Sequence, residues 1–66
     1  MSKLDSFKAT ARALARSGYF YGLTPLEFEL SFEDGFDEAR GWLEEPSTKE
    51  ELERLCRVSR AKRKAA

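Results

Sequence analysis

The sequence predicts an all-α protein, a compact bundle of three or four short helices. Three observations carry that expectation. Apolar residues recur at helical spacing, as in Leu4, Phe7, Ala11 and Leu14. Helix-start signals stand ahead of such stripes, and Gly18, Gly35 and Pro46 punctuate the segments between them.

The first helix is expected over 3–17. Ser2 with Asp5 three residues on resembles a capping pair, and Ser17-Gly18 offers a left-handed stop. Lys8, Arg12 and Arg16 fall four apart on a neighbouring face. Like charges at that spacing cost a few tenths of a kcal/mol per pair, so the ridge gains from an acidic neighbour. The middle of the chain can supply one. Tyr19, Phe20 and Tyr21, bounded by Gly18 and Gly22, read as a packed connector.

The second helix is expected over 25–33, with Thr24 as cap, Pro25 at the first helical position and Glu27 closing a capping box. Leu26, Phe28, Leu30 and Phe32 also alternate with polar residues, which is a strand pattern. Helix is preferred because the start signal is strong and Leu26/Leu30 and Phe28/Phe32 are also i,i+4 pairs. A helix apolar on two sides should sit between neighbours. Asp34-Gly35 reads as a break before a third helix over 37–45, capped by Asp37 and carrying Phe36, Ala39, Trp42 and Leu43. The alternative, a helix continuous through Gly35, stays open because Phe28, Phe32, Phe36, Ala39 and Leu43 line one face. Pro46 ends this segment in either case.

A last helix is expected over 48–61, capped by Ser47 with Glu50 or Thr48 with Glu51. Its stripe is Leu52, Leu55, Cys56 and Ser59, and Glu50–Arg54 and Glu53–Arg57 form i,i+4 pairs. Residues 1–60 then make one small domain and 61–66 a frayed, flexible basic tail.

Composition limits the chemistry. A chain of 66 residues makes one domain at most and buries a modest core. Cys56 is the single cysteine and there is no histidine, so no intrachain disulfide, zinc-type ligand set or neutral-pH imidazole base can be assembled. Cys56 lies on an apolar stripe and reads as an inert core thiol. Glu33-Asp34-Gly35-Phe36-Asp37 lacks the ligand spacing of a calcium loop. The expectation is a non-enzyme without cofactor or metal. One reduced thiol suits the cytoplasm. No apolar run approaches membrane-spanning length, and residues 1–16 hold no signal-type apolar stretch.

The charges cancel overall but are sorted along the chain. Residues 1–22 carry 4 cations and 1 anion, residues 23–46 carry 1 cation and 8 carboxylates, and residues 47–66 carry 7 cations and 3 anions. The acidic block folds against the basic ends, faces a basic partner, or does both, and toward a partner it can imitate the phosphates of a nucleic acid. A helix-turn-helix at Gly35 is disfavoured electrostatically. Its recognition helix would present Asp37, Glu38, Glu44 and Glu45 to DNA phosphates.

The favoured function is a small, non-enzymatic protein–protein interaction or regulatory module, whose layout looks like that of a bacterial or phage reading frame. Its partner is another protein or a second copy in a homodimer. The expected contacts are Tyr19, Tyr21, Glu33, Asp34, Asp37, Glu38 and Trp42. The alternative is an accessory nucleic-acid binder using Lys8, Arg12, Arg16, Arg57, Arg60, Lys62, Arg63 and Lys64.

Overall fold

The protein is described by a computed structural model over residues 2–65, with the side chains of residues 64 and 65 left out of the description. Among the described residues there are four helices and no strand: α1 (Lys3–Ala15), α2 (Leu23–Leu30), α3 (Phe36–Glu44) and α4 (Pro46–Ala65). The expected all-α bundle is the fold, and the strand alternative for residues 26–32 falls away.

Each boundary has a local cause. Ser2 caps α1 as expected, its hydroxyl accepting from the Asp5 amide at 3.1 Å. Gly18, with φ +82°, turns the chain out of α1. The start of α2 differs from expectation. The helix begins at Leu23, and neither Thr24 nor any other side chain of its own segment caps it. Glu53 of α4 does so from across the bundle, accepting the Leu23 amide at 2.6 Å. A carboxylate at a helix amino terminus is favoured by both the unpaired amides and the macrodipole. Pro25 is tolerated inside this first turn because its missing N–H has no intrahelical partner to lose.

Gly35 settles the continuity of the middle segment. Its φ of +90° breaks the backbone between α2 and α3. Asp37 is a first-turn residue of α3 and does not cap it, since the helix already starts at Phe36. Glu45 is extended, as a residue before proline must be. Pro46 then opens α4, so the Ser47/Glu50 and Thr48/Glu51 caps are not used. The proline ring presets helical φ at the first position, and the Lys49 amide reaches the Glu45 carbonyl at 3.0 Å. At its other end α4 retains helical backbone to Ala65, beyond the expected boundary near residue 61. Arg63 supplies a reason: its guanidinium covers the Tyr19 ring at 4.4 Å and its stem lies against Gly18.

Helices α1 and α4 are central, each packing against all the others. Arg12 lies beside Glu51, and Gly18 beside Ser59 and Arg63, so α1 and α4 run in the same sense. Helix α2 runs the other way along α4, with Leu23 at Glu53 and Glu27 at Lys49. The core consists of Phe7, Ala11, Ala15, Leu26, Leu30, Ala39, Leu43, Leu52 and Cys56. The alanines at 11, 15 and 39 are fully buried. Their small side chains let α1 and α3 approach their neighbours closely. The buried stripe of α1 ends at Ala15, with Leu14 only half covered.

The aromatic residues divide into two groups. Phe7 packs on Phe36 and edge-on against Trp42, with ring centroids 6.2 and 6.4 Å apart. Phe20 joins the periphery of the core. Tyr19, Tyr21, Phe28 and Phe32 are all on the surface, so of the connector expected to pack only Phe20 does. The expected second covered side of α2 is therefore absent. Leu26 and Leu30 fill the core while Phe28, about 200° round the helix from Leu26, and Phe32, in the turn after α2, face outward.

Candidate interaction surface

The molecule has two chemically distinct ends. At one, the turn between α2 and α3 sits on the start of α1. Lys3 pairs with Asp34 at 3.6 Å, and a Cβ placed on Gly35 would lie 3.0 Å from the Lys3 carbonyl oxygen. At the other, the connector after α1 meets the carboxyl end of α4. There Arg60 donates to the Tyr19 carbonyl at 3.5 Å. Helix α1, about 20 Å long at 1.5 Å per residue, separates the two.

The expected partner contacts are thus divided. Glu33, Asp34, Asp37 and Glu38 are exposed at the first end, while Tyr19 and Tyr21 are exposed at the second. Trp42 belongs to neither. It projects from α3 and is half buried against α1, with the Lys8 ammonium and the Arg12 guanidinium each 5.5 Å from its ring centroid.

The basic ridge of α1 is engaged in the same place. Arg12 donates to Glu51 of α4 at 2.8 Å. That hydrogen bond, opposed by partial desolvation and reinforced by charge, holds the Glu51 carboxyl below its ordinary range and raises the Arg12 guanidinium. Arg16 lies close enough to act on Glu51 electrostatically as well. The acidic neighbour of the ridge is thus α4, not the middle block. Of the other expected nucleic-acid contacts, Arg57 pairs with Glu53 at 3.0 Å. Lys62 and Arg63 are exposed on the last turns of α4, and Arg60 is partly covered. The side chain of Lys64 lies outside the described residues.

The middle block keeps most of its charge outward. Only Glu27, with Lys49, and Asp34, with Lys3, form ion pairs among the described residues. Glu29, Glu33, Asp37, Glu38, Glu44 and Glu45 are exposed and have no ion-pair partner there. Phe28 and Phe32 stand among these carboxylates, 65% and 73% exposed, with their rings edge to face at 5.2 Å. Chain order places Glu29 and Glu33 directly after each ring. The Phe pair is absent from the residues expected to bind. The usable signal was there in the pattern: a two-faced apolar helix in a chain too short to cover both faces.

Cys56 is fully buried in α4. Burial pushes its thiol above the ordinary range, and the nearby Glu53 charge adds to this. No helix among the described residues is long and apolar enough to cross a membrane.

Fold and surface together define a small four-helix bundle that displays an aromatic pair among unpaired carboxylates. Comparison with protein-family models, curated proteins and solved structures finds no match to the chain.

Proposed function

We propose that this chain is a non-enzymatic protein–protein interaction or regulatory module. It docks a basic, apolar surface of another protein onto Phe28, Phe32 and the surrounding carboxylates. The observation that carries this reading is the pair of exposed, edge-to-face phenylalanines beside acids with no ion-pair partner among the described residues. A contiguous apolar patch rimmed by polar residues marks an interaction site far more often than scattered single side chains do. Carboxylates around it select a cationic partner and raise the encounter rate.

The energetics suit a reversible contact. Covering both rings contributes about 3–6 kcal/mol at roughly 1.5–3 kcal/mol per side chain. A micromolar complex needs about 8 kcal/mol net of the cost of association. The rings alone fall short, and the charge contacts must supply the remainder. Affinity should therefore fall as salt rises. A non-enzymatic role agrees with a chain that has no histidine and whose one thiol is buried. That unpaired thiol also favours a reducing compartment, and the cytoplasm is the proposed location.

The test is calorimetric titration with a synthetic helical peptide carrying a leucine stripe beside lysines. Wild type should bind it with salt-sensitive affinity. The double variant F28S/F32S, altered only at exposed positions, should keep its helical circular dichroism and lose the binding. Equal binding by the variant contradicts the proposal. Self-association lost in the same variant would assign the surface to a second copy instead.

A further inference from the structure

We propose that the opposite end of the bundle is a second, independent binding site, for single-stranded nucleic acid, with Tyr19 and Tyr21 as stacking rings and Arg60, Lys62 and Arg63 as phosphate contacts. Three observations converge on it. Tyr19 and Tyr21 are each 69% exposed, although the connector that carries them is held in place. The Tyr19 amide donates to the Ser17 hydroxyl at 3.2 Å, and the Tyr19 carbonyl accepts from Arg60. These rings are presented, not left over from a loose loop.

The Arg63 guanidinium lies over the Tyr19 ring at 4.4 Å, which fixes the ring and sets a cation beside an aromatic face. Finally, α4 carries no carboxylate after Glu53, and Glu53 is occupied by the Leu23 amide and Arg57. Beyond the Arg57 pair, Arg60, Lys62 and Arg63 stand on helical backbone and form no ion pair among the described residues.

Aromatic rings interleaved with cations are what single strands require. Unpaired bases stack on the rings while phosphates meet the positive charges. A duplex would leave the rings without a partner, and an acidic protein face would use the cations alone. Lys8 and Arg12 are not part of this site, because Lys8 covers Trp42 and Arg12 is bound to Glu51.

The experiment is fluorescence anisotropy with a labelled deoxythymidine oligonucleotide of about 12 nucleotides, within the usual single-strand site sizes. Binding should weaken linearly in log salt, each lost phosphate contact removing about 0.7 from the slope. The R60Q/K62Q variant should therefore lower the slope by about 1.4. Y19A and Y21A should each weaken binding about fivefold or more and leave the slope nearly unchanged. R40Q, which removes an exposed cation from the acidic region, should change neither.

Circular dichroism of each variant establishes that the fold is retained. Absence of salt-dependent binding overturns the proposal. So does binding indifferent to both tyrosines, or equal affinity for a duplex of the same length. A salt-sensitive increase in mass by light scattering that the oligonucleotide does not compete with would assign this end to the acidic face of a second copy, and also overturns it.

Discussion

Replacing Gly35 with alanine tests the joint that sets the acidic turn on α1. The perturbation is one methyl group, and the structure gives it two separate costs. The backbone has φ +90°, and an L-residue held in left-handed geometry costs about 1–2 kcal/mol. The new Cβ would also sit 3.0 Å from the Lys3 carbonyl oxygen and 3.5 Å from Phe7 Cβ. The first is backbone of α1, which cannot swing aside as a surface side chain would; the second is ordinary van der Waals contact and leaves no room for the turn to shift that way. Overpacking of this kind costs about 1–3 kcal/mol.

A combined loss of about 2–5 kcal/mol is large against the roughly 3–10 kcal/mol expected for a domain of this size. The melting temperature should fall by at least about 10 °C. Gly41 is the matched control. It lies inside α3, a Cβ there meets nothing within 4 Å, and G41A should stabilise by about 0.4–1 kcal/mol. Thermal melts by circular dichroism under one buffer read both. A G35A melting point within a few degrees of wild type would refute the left-handed joint and its seat on Lys3.

Two further outcomes follow from the titrating groups. Glu51 has its carboxyl lowered in the folded state, so its contribution is present above the ordinary carboxylate range and disappears as pH falls through the lowered value. Both partners are more than a third exposed, which limits that contribution to less than about 1 kcal/mol. The gap in melting temperature between wild type and E51Q should be small near neutrality and close in acid. A gap that widens in acid has the wrong sign for this pairing. Cys56 should react slowly with iodoacetamide in the native protein and quickly in denaturant, because its thiol is buried and its ionisation suppressed. Rapid native labelling would contradict that burial.

Much of the fold is legible in local chemistry. Ser2 and Asp5 start α1, Gly18 and Gly35 break the chain, Pro46 separates α3 from α4, and the core positions of α3 and α4 keep helical spacing. What local patterns do not reveal is supplied by distant residues. Thr24 has the chemistry of a cap, yet Glu53 reaches the amino end of α2 from another helix. The continuation of α4 past residue 61 likewise accompanies a contact between Arg63 and Tyr19, which are far apart in sequence.

The candidate surfaces were only partly legible for the same reason. Side-chain type marks Phe28, Phe32 and Trp42 alike as core or contact residues. Only tertiary packing shows that Trp42 is covered by Phe7, Lys8 and Arg12 while the Phe pair is left open. Charge sorting pointed to a partner, and packing shows where the charge goes. Lys8 and Arg12 of α1 are engaged by Trp42 and Glu51, and six carboxylates of the middle block stay outward and unpaired among the described residues.

The most direct test of the docking surface is residue-resolved amide NMR of the intact chain titrated with the leucine–lysine peptide. Shifts concentrated in α2 and the turn to α3, diminishing with salt and absent in F28S/F32S, are the predicted result. Shifts spread evenly over the bundle, centred on the Tyr19 end, or unchanged in the variant would contradict it.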